Sequence, residues 1–206
     1  LLSIPLAWVV GFFGVALSLA GWAFHAGYPH RQLGLCNVVT IIRLAMISSL
    51  IAAFFAHAPS ILVVLIISCL AFALDGVDGW LARRTRLTSQ FGARFDVEVD
   101  SAFALILAGL AVQAGLNPLV VLLGLPRYVF GVAQLIFPFL NGPLSERFSH
   151  KAVCVAQIAV LVVLVVPWID TTLRHGLAVM AGGLVIWSFA VDIRALSMVQ
   201  AGRRAA

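Results

Sequence analysis

The chain has 206 residues, 63% of them hydrophobic and 10% charged, with a formal net charge of +5. Soluble domains carry roughly 45–50% apolar and about 25% charged residues, so water is excluded as the main solvent and a helical membrane domain is expected. The basic residues flank apolar segments instead of forming a solvated face, which argues for membrane orientation and against a nucleic-acid partner.

Apolar runs set against polar breaks predict seven spans, near residues 4–24, 38–57, 60–82, 91–114, 118–140, 151–168 and 175–196. A helix needs about 20 mostly apolar residues to cross the hydrocarbon. The first run, Leu1 to Phe24, lacks a basic start and a small-x-small cleavage site, so a retained helix is expected over a signal peptide. Gly11, Gly14 and Ser18 are its expected packing face. Turn chemistry separates the later runs at His57-Ala58-Pro59-Ser60, Asn117-Pro118, Asn141-Gly142-Pro143 and Pro167-Trp168-Ile169-Asp170.

Arg31, Arg43, Arg83, Arg84, Arg86, Arg94, Arg147, Lys151, Arg194, Arg203 and Arg204 fall at one set of segment ends, Arg174 falls opposite, and Arg127 sits mid-span. That bias predicts a cytoplasmic location for the 25–37, 83–90 and 141–150 connections and the C-terminus, with the N-terminus outside. Cys36, Cys69 and Cys154 lack CxxC spacing and are expected to be free, inert thiols. The scattered histidines suit interfacial or loop positions, and the tryptophans mostly suit an aromatic belt.

Of the eight acidic residues, Asp75, Asp78, Asp96, Glu98 and Asp100 fall within 26 positions at the ends of two apolar runs. Carboxylates there are costly unless they are paired or face a polar cavity, and so they are functional candidates. Asp75 and Asp78 share one helix face at i and i+3, Asp96 and Asp100 share another at i and i+4, and Glu98 points elsewhere. If the two helices meet at their cytoplasmic ends, four carboxylates converge and require cations. A pair of hard, oxygen-ligated ions, Mg²⁺ first, answers that need. Gly79 and Gly92 leave room for helix or ligand approach, and Arg83, Arg84 and Arg86 can neutralise a pyrophosphate or anchor to lipid headgroups.

The run Asp75-Gly-Val-Asp78-Gly79-Trp-Leu-Ala82-Arg83, then Gly92, Asp96 and Asp100 at fixed gaps, is similar to the signature of the CDP-alcohol phosphotransferase (CDP-alcohol phosphatidyltransferase) family, which includes bacterial membrane phospholipid synthases. Every fixed position of D-x2-D-G-x2-A-R-x8-G-x3-D-x3-D is filled. Asn37-Val-Val-Thr40-Ile-Ile-Arg43 resembles the N-x2-T-x2-R element that opens the family's first core helix. The resemblance implies an all-α integral membrane protein with a six-helix core over 31–206, preceded by an extra helix and loop over 1–30. It implies that Asp75, Asp78 and Asp96 ligate two Mg²⁺ ions, with Mn²⁺ as a substitute, and that Asp100 is both ligand and general base. It also implies that Asn37, Thr40, Gly79, Arg83 and Ser89 line a CDP pocket, although helix capping or loop hydrogen bonding would account for Asn37, Thr40 and Ser89 equally simply.

The implied reaction takes the phosphatidyl group of CDP-diacylglycerol to an acceptor hydroxyl and releases CMP at the cytoplasmic face of the inner membrane, in a homodimer. The signature is silent on the acceptor. Arg127, a mid-span cation, is expected to face the polar cavity in preference to pairing with an aspartate, and Arg147, His150 and Lys151 lie at the interface. Lys151 to Gln157 resembles the K-x5-Q stretch of phosphatidylglycerophosphate synthases, without its glycine and second lysine. Glycerol 3-phosphate is therefore the first acceptor candidate, ahead of inositol phosphate or another polar alcohol. A cation transporter is the rival class, but a cation path has no need of the Gly-Ala-Arg framing of the aspartates; a membrane scaffold leaves the carboxylates without a cause.

Overall fold

The structure, a computed structural model, describes residues 6–27, 35–56, 60–85, 90–137 and 148–205, and the backbone alone for residues 6, 19–20, 22–27, 35–37, 78–83, 85, 90–91, 148–151 and 198–205. The described residues are helical, without strands. In order they form α1 (Leu6–Gly27), α2 (Leu35–Phe55), α3 (Ile61–Thr85), α4 (Gln90–Gln113), a 3-10 helix (Pro118–Gly124), α5 (Pro126–Ile136), α6 (Phe148–Leu164) and α7 (Thr171–Ala205). Among them Val38–Phe55 and Thr171–Ser197 are long and apolar enough to cross a membrane, and the bent pair Pro118–Gly124 and Pro126–Ile136 makes a third if counted as one span. The apolar stretches Ala7–Ser18, Ile61–Val77 and Ala152–Leu164 are shorter.

α4 is the hub, packing against α1, α2, α6 and the 3-10 helix. Its inward side chains Phe103, Leu107 and Ala111 meet Ile47 and Leu50 of α2, Val64 of α3 and Leu161 and Leu164 of α6 in one buried cluster. In lipid such contacts bind by close packing of van der Waals surfaces more than by escape from solvent, which rewards small residues at crossings. A Cβ on Gly109 would lie 3.0 Å from Phe54 Cε2, so the glycine lets the Phe54 ring of α2 lie against α4.

The chain leaves α4 through Gly115, whose φ of +92° is open to glycine at no steric cost. The Gly115 and Leu116 amides donate back to Val112 and Ala111, a Schellman closure of the helix end. Asn117 then caps the 3-10 helix by accepting from the Leu119 amide at 2.9 Å. His175 on the first turn of α7 contacts the Thr171 carbonyl through Nδ1 and accepts the Asn117 amide on Nε2, a loop role.

The fifth predicted span, 118–140, is not one helix. The 3-10 helix and α5 meet at 62°. Pro126 has no N–H to donate to the preceding turn. The Leu125 amide closes a tighter turn onto Leu122 at 3.4 Å, and the Leu123 carbonyl is satisfied from α6 by Gln157 Nε2. Helical bonding resumes when the Val129 amide donates to the Leu125 carbonyl.

The first helix also packs differently from expectation. Gly11, Gly14 and Ser18 are exposed, and Cβ atoms added at Gly11 and Gly14 would meet nothing within 4 Å. The Ser18 hydroxyl donates instead to the Gly14 carbonyl of its own helix. α1 contacts α2 through aromatic rings, with Trp8 and Phe12 stacked on Phe55 at centroid separations of 6.2 and 5.6 Å.

Arg174, the one cation expected at the opposite membrane surface, is buried. Its Nη1 donates to the Ala114 carbonyl just past α4 and to the Leu164 carbonyl ending α6, and its Nη2 donates to Thr171 Oγ1. The guanidinium satisfies carbonyls that a helix C-terminus leaves without partners. Cys69 and Cys154 are free thiols, and the Cys36 side chain lies outside the described residues.

Candidate active site

Three neighbouring helices bring polar side chains to one end of the bundle. α2 contributes Thr40 and Arg43, three residues apart on its inward face and both buried. The later half of α3 contributes Asp75, and the first half of α4 contributes Asp96 and Asp100, four residues apart on one face. α3 runs antiparallel to its neighbours, so these positions lie at one level.

The centre of the group is Arg43, whose side chain has 0% exposure. Its Nη1 lies 3.0 Å from Asp75 Oδ1 and 2.7 Å from Asp96 Oδ1, its Nη2 donates to Asp100 Oδ1, and its Nε donates to the Ala71 carbonyl at 3.2 Å. The carboxylates are partly buried, at 19%, 35% and 30% exposure, so each keeps some surface outside the protein interior. Arg43, one of the basic residues at the segment ends, lies near the start of α2 and is buried within the bundle. A lone guanidinium so deeply buried would be prohibitively costly, and three carboxylates converging on it offset part of that cost. Thr40 is buried one turn away, as the N-x2-T-x2-R spacing requires.

Glu98 points away from this cluster, as its spacing predicts. It accepts from Arg127 Nη2 at 2.8 Å, and the two side chains are 55% and 38% exposed. Arg127 therefore pairs with an acid, but with neither Asp75, Asp96 nor Asp100, and it is only partly shielded.

Asp78, Gly79 and Arg83 fall on α3 in the two turns after Asp75, and Asn37 and Lys151 on the first turns of α2 and α6. Their side chains lie outside the described residues, as do residues Ser89 and Arg147 altogether. Gln157, the last member of the K-x5-Q stretch, contacts the Leu123 carbonyl and not the carboxylate group.

Side-chain oxygens of Asp75, Asp96 and Asp100 lie within 4.8 Å of one another. Carboxylate oxygens alone, half-open to an entering ion, fit a hard divalent cation and disfavour a soft one. The cluster could hold such an ion.

The profile of one family, CDP-alcohol phosphatidyltransferase, matches residues 33–191, a stretch that contains α2 to α6, most of α7 and every residue of the cluster. The chain is also 25% identical over 176 residues to a CDP-diacylglycerol–glycerol-3-phosphate 3-phosphatidyltransferase of Pseudomonas fluorescens, covering 77% of this chain and 88% of that protein. No solved structure matches it. Two helices carrying the Asp-rich signature to one point against Arg43 of a third, within a match that spans most of the chain, identify it as an enzyme that belongs to the CDP-alcohol phosphatidyltransferase family.

Proposed function

We propose that the enzyme transfers the phosphatidyl group of CDP-diacylglycerol to an acceptor hydroxyl and releases CMP, with glycerol 3-phosphate as the first acceptor candidate. The observation that carries this is the carboxylate cluster, three acids from α3 and α4 gathered within 4.8 Å in a chain of this family. The Pseudomonas relative's name favours glycerol 3-phosphate over inositol phosphate or another polar alcohol.

In this reading Asp75, Asp78, Asp96 and Asp100 hold two Mg²⁺ ions, replaceable by Mn²⁺. Bound there, the ions neutralise the pyrophosphate and the charge that develops on the departing CMP. Asp100 takes the proton from the acceptor hydroxyl. The hydroxyl oxygen then forms its bond to the lipid-side phosphorus as the bond from that phosphorus to the CMP oxygen breaks. Asn37, Thr40, Gly79, Arg83 and Ser89 bind the nucleotide, with Arg83 steadying the phosphates. Arg127, Arg147 and Lys151 offer cations to a phosphorylated acceptor. Holding Arg127 by a single half-exposed carboxylate leaves it able to exchange Glu98 for an anionic substrate.

The same reading gives an extra N-terminal helix over 1–30 and a six-span domain over 31–206 in the inner membrane, assembled as a homodimer with the site facing the cytoplasm. The bias of the basic residues to one set of segment ends in the sequence supports the orientation. Purified enzyme with Mg²⁺ and a panel of alcohols is expected to release CMP from CDP-diacylglycerol, with the lipid product read by mass spectrometry. Asp100→Asn and Asp78→Asn are each expected to stop it. Full turnover by Asp78→Asn removes that residue from the ligand set, and absence of CMP release with every alcohol removes the reaction.

A further inference from the structure

Arg43 engages one oxygen, Oδ1, of each of Asp75, Asp96 and Asp100, and these are the same three carboxylates that form the cation-ligand cluster. Each carboxylate carries a second oxygen that a metal ion can use. Fully ionised, three carboxylates would bring a charge of −3 and the guanidinium returns +1, so up to a third of the cluster's charge is offset from within the chain. The guanidinium has 0% exposure, and its remaining nitrogen, Nε, is anchored on the Ala71 carbonyl of α3. Burial and the Nε bond hold it against the carboxylates in the metal-free protein.

We infer that Arg43 is a resident counter-ion of the metal centre, one that holds the three carboxylates together before metal binds and sets how tightly it then binds. This rests on the metal-binding reading of the cluster given above. Two effects follow from the same charge. Without Arg43 the carboxylates repel one another at close range in a poorly screening site, so the metal-free protein loses stability. With it, an entering divalent ion meets a positive charge across the carboxylates, so its affinity is held down. Carboxylate repulsion works against preorganisation in the variant, but adding a metal relieves that repulsion, so the net effect of removing the guanidinium is tighter metal binding.

The experiment uses intact wild-type protein, Arg43→Gln and Arg43→Lys in detergent micelles, without nucleotide or lipid substrate. Mn²⁺ affinity is measured by the electron paramagnetic resonance signal of the free ion, and thermal unfolding is followed with and without Mg²⁺. Arg43→Gln is expected to bind Mn²⁺ about tenfold tighter or more, and to gain more in Tm from Mg²⁺ than wild type does. Arg43→Lys, which keeps the charge, is expected to stay within about twofold of wild type. Folded Arg43→Gln with unchanged or weaker Mn²⁺ affinity overturns the inference. If Arg43→Gln does not fold, Arg43→Lys decides: wild-type affinity supports a role set by charge, and a tenfold change refutes it. Wild-type protein that takes up no Mn²⁺ instead sinks the metal-centre reading itself, a result distinct from either of these.

Discussion

Gly124→Ala is a sharp test of how the fifth segment is seated. The added Cβ would lie 2.6 Å from Leu105 Cα and 3.1 Å from its backbone nitrogen, and neither is the movable tip of a side chain. Carbon atoms settle at about 3.5–4.0 Å, so the 3-10 helix has to move away from α4 by roughly 1 Å. Overpacking of this kind costs about 1–3 kcal/mol. For a chain of this size that is a fall in Tm of about 2–12 °C. The displacement carries Arg127, three residues on, away from its 2.8 Å contact with Glu98. Gly131→Ala in α5 is the internal control, since its Cβ would meet nothing within 4 Å. There the change removes a flexible residue from a helix and is expected to stabilise by about 0.5–1 kcal/mol. Thermal unfolding of both variants in the same detergent reads the difference, and a Gly124→Ala protein as stable as Gly131→Ala would refute the close seating of the 3-10 helix on α4.

Arg174→Met should destabilise the enzyme by about 1–3 kcal/mol, since it leaves the Ala114 and Leu164 carbonyls short of a donor in a buried place; unchanged unfolding would show that they find other donors. Arg127→Ala should raise KM for a phosphorylated acceptor by about tenfold, the worth of a charge-assisted contact, while KM for the CDP-lipid stays near wild type; equal changes in both would detach Arg127 from the acceptor. Asp170 caps α7 by accepting the Leu173 amide, and that bond holds its carboxyl below the usual carboxylate range. A lowered native pKa means stability that is present above the ordinary carboxylate value of about 3.9 and is lost as pH falls through the lowered value. The Tm gap between wild type and Asp170→Ala should therefore narrow below about pH 4, and a gap that is constant down to pH 2 would contradict it.

The aspartates were legible in the sequence because their spacing alone assigns them to faces: Asp96 and Asp100 together, with Glu98 between them and outward. What Glu98 meets was not legible, since Arg127 reaches it only through a bend in another segment. That bend had a signal, Pro126 inside an otherwise apolar run, where a missing N–H ends the preceding turn; hydrophobicity summed over the window outweighed it. Arg43 was hidden for a different reason. A buried arginine near the end of an apolar run reads like a surface anchor, and only the convergence of α2, α3 and α4 tells the two apart. Its place three residues after Thr40 was the available hint. The glycines of α1 misled in the opposite direction, offering a small-residue face where Trp8 and Phe12 make the contact with α2.

Arg174 bears on how such a chain acquires its orientation during insertion. Its charge is answered by the Thr171 hydroxyl of its own first turn and by the Ala114 and Leu164 carbonyls, and the two carbonyl contacts exist only once the helices have come together. In the orientation proposed above, this arginine is an uncompensated cation on the far side while the last hairpin is threading, opposing the pull of the basic ends of the other helices. Folding then removes it from the tally. A charge count taken on the finished protein thus understates the electrostatic work done in placing α7, and substituting Arg174 with a neutral residue should ease insertion even as it weakens the assembled bundle.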